Sequence, residues 1–161
     1  MMNKLWASYC DAEFGQIRNE SNHWTLEQYA VLGDHCVPIC VDFEQGQIGE
    51  LSLLQREAIR QALALPSDVL SITVPLVLQN YNVYREMIGD EEMPQLANPI
   101  QVWDKVTFSY IYVPPHVEYD LHIPTFKLIA ECDWEPEHGL EVSFRNGVAD
   151  DADQIGETGR L

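Results

Sequence analysis

Apolar and polar positions change their period twice along this chain. From Lys4 to Phe43 the alternation is close to two. Leu5, Ala7 and Tyr9 interleave with Trp6, Ser8 and Cys10, Phe14-Gly15-Gln16-Ile17 reads as a turn into a second strand, and Trp24 to Leu32 reads as a third. Gly33-Asp34 is a turn pair, the glycine being free to take a positive φ. The apolar run Val37–Phe43 follows as a strand. Pro38 has no N–H to give a ladder, so this strand is expected to begin there or to lie at an edge.

After the loop Gln45–Gly49 the period becomes helical. Ser52 is placed to cap a helix over Leu53 to Leu65, with Leu54, Ala58, Ile59, Ala62 and Leu65 on one stripe and Arg56, Glu57, Arg60 and Gln61 opposite. Pro66 ends it. Ser67 or Asp68 caps a second helix with apolar positions Val69, Ile72, Leu76, Val77 and Tyr84, in which Pro75 is expected to force a kink or a later start, and Gly89 closes it. A short helical turn is expected around Val102 and Trp103.

Strand patterning then returns over Thr107–Val113, Pro124–Cys132 and Leu140–Phe144, with Asn146-Gly147 as a turn pair. The polar stretch from Asp150 reads as a tail, mobile from about residue 157. Strands, then helices, then strands predict an α+β domain spanning 1–161, a largely antiparallel sheet with two or three helices packed on one face.

Composition adds charge to this picture. Twenty-six acids against nine bases give a net charge of −17, on a chain that is 46% hydrophobic and 10% aromatic. An acidic disordered tail lacks such a hydrophobic content, so the charge covers a folded surface. That field repels nucleic acid and anionic membranes and attracts basic proteins. The charge is uneven, with −6 over residues 1–80 and −11 over 81–161. Met1–Cys10 has no signal-like apolar stretch and no segment nears a membrane span, so a cytoplasmic location is expected. The four cysteines, Cys10, Cys36, Cys40 and Cys132, are read as buried reduced thiols rather than a disulfide or zinc framework.

No phosphate-binding glycine loop, nucleophile elbow or His-Glu-x-x-His helix is present, so the chain is read as a binding protein without a cofactor, not as an enzyme. Two polar groups keep a metal-dependent hydrolase or small-ligand binder as the alternative. One is Asp133, Glu137 and His138, within Cys132–Gly139, where the preferred reading is a turn between strands with Trp134 packed inward. The other is His116, Glu118, Asp120 and His122, which would share one face of a strand. The runs Asp90-Glu91-Glu92 and Asp150-Asp151-Ala152-Asp153 are solvated by default, and their carboxylates are the candidate partner contacts.

One segment carries a resemblance. Trp134-Glu135-Pro136-Glu137-His138-Gly139-Leu140, its apolar strand, the Asn146-Gly147 turn and the closing Ile155-Gly156 are similar to a Trp-x-x-Glu-His-Gly-Leu signature. That signature belongs to an uncharacterised bacterial family of small domains. Val37-Pro38-Ile39 and Leu63-Ala64-Leu65-Pro66 fit as well, and the likeness runs from about Phe14 to Gly156. Members occur near polymorphic-toxin and contact-dependent inhibition loci. The resemblance therefore implies an immunity protein that binds the C-terminal domain of a cognate secreted toxin, with a nuclease among the kinds it implies. It implies no catalytic residues. The acidic Asp150–Asp153 insert departs from the family pattern and is the part suited to one particular partner.

Overall fold

A computed structural model describes residues 8–20 and 23–156. Its eight strands form one sheet in which spatial order follows chain order. Strands β1 (Ser8–Asp11), β2 (Gly15–Glu20), β3 (His23–Leu32) and β4 (His35–Val41) make an antiparallel meander. Strands β5 (Val106–Val113), β6 (Thr125–Cys132), β7 (Leu140–Arg145) and β8 (Val148–Asp153) make another. The meanders join where β4 runs parallel to β5. Parallel neighbours need a crossover, and this one contains α1 (Leu53–Leu63), α2 (Val69–Ile88) and a 3₁₀ helix at Pro99–Lys105. The fold is α+β, as the element order predicts. Among the described residues no helix is long and apolar enough to cross a membrane.

Helix α1 starts in a reciprocal capping box. The Ser52 hydroxyl accepts the Gln55 N–H, and the Gln55 side chain accepts the Ser52 N–H. The same Gln55 amide, fully buried, donates to the carbonyls of Asp42 at 2.6 Å and Pro114 at 3.3 Å. Those carbonyls directly follow the parallel β4–β5 pair, so one side chain closes both strand ends against the helix. Ala58, Ile59 and Ala62 are buried as expected, whereas Leu54 is half-buried and the helix stops at Leu63. At the other face Arg56 reaches Asp11 at 2.7 Å, and Arg60 pairs with Glu13. The Arg56 guanidinium leads the effects that hold the Asp11 carboxyl below its ordinary value.

The core lies between the helices and one face of the sheet. On β6, Phe126, Leu128, Ala130 and Cys132 alternate inward, and β7 answers with Leu140, Val142 and Phe144. Phe126 and Phe144 are register partners with rings stacked at 4.7 Å. The opposite face mixes buried Ile129 and Cys40 with polar pairs, Lys127 bonding Glu141 at 3.1 Å and the Tyr112 hydroxyl donating to Asp42 at 2.7 Å.

Several expectations need correction. The stretch from Asp150 is no tail: Val148–Asp153 is the edge strand β8, and the expected mobile end from residue 157 lies outside the described residues. Leu5 and Ala7 also lie outside it, so the first described strand starts at Ser8. Pro38 sits within β4, which is an interior strand. It is tolerated because pairing with β5 starts only at Ile39 and because β3 is irregular between Thr25 and Tyr29. Pro75 does not delay α2, which starts at Val69, and it lies on the solvent side of that helix. Cys40 and Cys132 are buried free thiols, but Cys10 and Cys36 are exposed.

Gln55→Ala leaves two strand-end carbonyls without their donor. It should lower unfolding free energy by about 2 kcal/mol, read as a lower denaturant midpoint at unchanged slope.

Candidate functional site

The Asn146-Gly147 pair takes positive φ at both residues, 52° and 80°, the geometry that turns β7 tightly into β8. The β7–β8 register then slips between Ser143 and Phe144, which leaves Asp150 as an extra residue. Asp150 pairs with Arg145 at 2.7 Å. Beyond the slip, Ala152 faces the core while Asp151 and Asp153 stay exposed. Helix α2 runs beside this edge, where Asn80 reaches the Ala152 carbonyl at 3.5 Å. Between them lies a groove lined by Leu76, Gln79, Val83, Met87, Asp151 and Asp153. Past the helix end, Asp90 pairs with Arg85 at 2.9 Å and Glu91 and Glu92 are exposed. Of the six carboxylates named from the sequence, the fold thus sets Asp151 and Asp153 against α2. It occupies Asp90 and Asp150 with arginines and leaves Glu91 and Glu92 free of the groove.

Helix α2 buries Val69, Thr73, Val77 and Tyr81. Ile72, counted among its apolar positions from sequence, is instead 58% exposed, along with Val83 at 51% and Met87 at 70%. Ile72, Leu76, Val83 and Met87 recur at helical spacing, so α2 carries a second apolar stripe facing away from the core. The signal was in the sequence, but an apolar position does not say which of two faces the sheet will take.

The signature segment holds α2 in place. The Trp134 side chain is buried, its Nε1–H donates to Asn80 at 2.8 Å, and its ring meets Tyr81 edge-on at 5.3 Å. His138 pairs with Glu135 at 3.2 Å, and the Glu135 carboxylate also accepts the His138 backbone N–H. Cys132–Gly139 is a turn between strands, as preferred, and the alternative grouping of Asp133, Glu137 and His138 is not assembled, with Glu137 and Asp133 both turned to solvent. Burial pushes the Glu135 carboxyl up, but its bonds to His138 and Tyr84 outweigh that and hold it below its ordinary value. Gly139 has φ +68°, and a Cβ there would lie 2.7 Å from the Ala130 carbonyl and 2.8 Å from Ile155. The Ile155 N–H donates to the His138 carbonyl at 3.1 Å. Gly139 and Ile155 fit together, which gives the glycine and the closing Ile-Gly of the signature a common physical reason.

The His116–His122 stretch is also corrected. Residues 114–124 form a loop with Asp120 at φ 54°, so no strand face gathers His116, Glu118, Asp120 and His122. His116 is buried and neutral, its Nδ1–H donating to the Pro114 carbonyl and its Nε2 accepting the Thr125 N–H, both at 2.9 Å. His122 is exposed and pairs with Asp120. Among the described residues no group of three or more His, Cys, Asp or Glu side chains is placed to hold a metal ion. Burial raises the Cys40 and Cys132 thiols to about 11, which keeps both protonated near neutrality.

The family model described as domain of unknown function DUF6985 matches residues 13–156. The chain belongs to that family. No curated protein and no solved structure matches it. The DUF6985 match opens at Glu13, which grips Arg60, and closes just after Ile155, which seats on Gly139. The matched span thus takes in the Glu13–Arg60 pair on α1, the Trp134–Asn80 bond on α2 and the Gly139–Ile155 contact at the turn.

Gly139→Ala should destabilise the fold by about 2 kcal/mol, through a strained φ and contact with backbone that cannot move aside, read from denaturant unfolding. Burial depresses the His116 pKa below its ordinary 6.5, against the opposing effects of the Pro114 carbonyl and Glu44. Just below pH 6.5 the unfolded chain therefore binds a proton that the fold refuses. The contribution of this group is whole above that pH and is lost as pH falls through the depressed value. His116→Gln should be less stable at pH 8, and its unfolding free energy should change less than that of the parent between pH 7 and pH 5.

Proposed function

We propose that this protein is a cytoplasmic immunity protein that binds and neutralises the C-terminal domain of a cognate secreted toxin through its acidic surface. The observation that carries this reading is the groove beside β8, where Asp151 and Asp153 border exposed apolar side chains of α2. A protein interface needs both parts. Apolar anchors at the centre give affinity, and a charged rim speeds encounter and selects the partner. Such a surface in a chain of net charge −17 favours a basic partner and disfavours nucleic acid or an anionic membrane. The toxin's own substrate need not be mimicked; occlusion of a basic cleft, as a nuclease would present, is enough.

The test is a binding measurement with the C-terminal domain of any large secreted protein encoded beside this gene. A tight complex is expected, with the toxin inactive in it. The association rate should fall roughly tenfold or more between low and physiological salt. Absence of a complex at low salt, or a toxin that stays active within it, would rule the reading out.

A further inference from the structure

We infer that the α2–β8 groove is the docking site for a basic amphipathic helix of the partner, with the exposed stripe of α2 as its apolar floor. This rests on the reading that the protein binds a basic protein, and adds where and in what form. Leu76, Val83 and Met87 line the groove, and exposed Ile72 continues the same stripe one turn toward the helix start. From Ile72 to Met87 the stripe extends roughly 22 Å at the helical rise, enough for about four turns of a partner helix. Acids flank it on both sides. Asp151 and Asp153 stand on the β8 side, and Glu86 is exposed on the other flank of the helix. Arg85, the one basic side chain of α2, is turned away and held by Asp90 and the Met93 carbonyl. An apolar ridge with lysines or arginines along both margins is the complement of this surface.

The geometry selects among occupants. Strand addition to β8 is disfavoured, because α2 lies along that edge and Asn80 already engages the Ala152 carbonyl. A second copy of the chain would set Asp151, Asp153 and Glu86 against the same carboxylates, with no cation on either stripe to offset them. The residues involved are also spare for the fold. Trp134, Tyr81 and Val77 hold α2 down from its other side, so the exposed stripe can be changed without touching the core.

The experiment uses the full chain and a Leu/Lys peptide of about 18 residues patterned as an amphipathic helix. Two controls accompany it: the same composition scrambled so that no apolar face forms, and the patterned peptide with Glu for Lys. The patterned basic peptide should bind, perturbing Val83 and Met87 methyl resonances, and both controls should bind at least about tenfold more weakly. The double variant V83S/M87S should lose about tenfold or more in affinity at unchanged thermal stability. D151N/D153N should chiefly slow association and flatten its salt dependence. Val31→Ser, an exposed apolar change on β3, should alter nothing. Equal binding of the scrambled peptide, or a V83S/M87S variant that binds like the parent, would overturn the proposal. So would a parent dimer that this variant converts to monomer, which would assign the stripe to a second copy. The same variants tested on the toxin domain separate the two readings. A toxin bound equally by parent and V83S/M87S refutes the groove and leaves immunity standing. A peptide bound in the groove with no toxin complex refutes immunity and leaves the groove standing.

Discussion

β4 and β5 pair through only three residues a side, Ile39–Val41 against Ile111–Val113, and in parallel. A parallel pair has no short connection, so the 64 residues numbered 42–105 must leave the sheet, cross one face and return. All the described helix is in that excursion, and everything distinctive about the surface follows from where it runs. Gln55 secures the junction by donating to the first carbonyl beyond each strand of the pair. A short parallel pair is a weak seam in an otherwise antiparallel sheet. One fully buried amide that ties both strand ends to the start of α1 turns it into a fixed reference for the rest.

From that seam α1 lies over the middle of the sheet, and α2 passes outward to the rim at β8. Its position there is set by the Cys132–Gly139 turn, through the Trp134 bond to Asn80 and the ring contact with Tyr81. Of the polar groups that looked like chemistry in this turn, His138 is used as structure, and Asp133 and Glu137 face solvent. Glu135 satisfies the His138 backbone and ring, and Gly139 yields space to Ile155. His116 is another case. An imidazole buried between the Pro114 carbonyl and the Thr125 N–H stitches a loop to the start of β6 and has no face left for a ligand. The carboxylates behave differently. Asp151 and Asp153 on β8 spend little on the fold, and an acid that is neither paired with an arginine nor buried is free to meet a partner.

The local periods in the sequence announced nearly every element. The Ser52 cap, the turn glycines, the Asn146-Gly147 pair and the inward position of Trp134 follow from short-range stereochemistry, and they are found where that stereochemistry puts them. β8 was hidden because Val-Ala-Asp-Asp-Ala-Asp has almost no strand-forming side chains. It is a strand because a tight turn delivers it to the open edge of β7, and its register is held by two alanines that face the core. Pro38 misled for a related reason. Whether a missing N–H matters depends on which neighbour is alongside, and that is a property of the sheet.

The sequence by itself determined the class of the fold, the ends of its helices and the sign and unevenness of its charge, because each rests on residues a few positions apart or on simple counting. Only the tertiary structure decided which apolar face of α2 is buried, and therefore that Ile72, Val83 and Met87 are left for a partner. It alone set Asp151 and Asp153 along that stripe while Arg85 and Arg145 took up Asp90 and Asp150. The reason is the reach of the interactions. The anchor that seats α2 and the acids beside its exposed stripe come from residues more than fifty positions away, as Trp134 is from Asn80 and Asp151 from Met87, and no local pattern encodes their meeting.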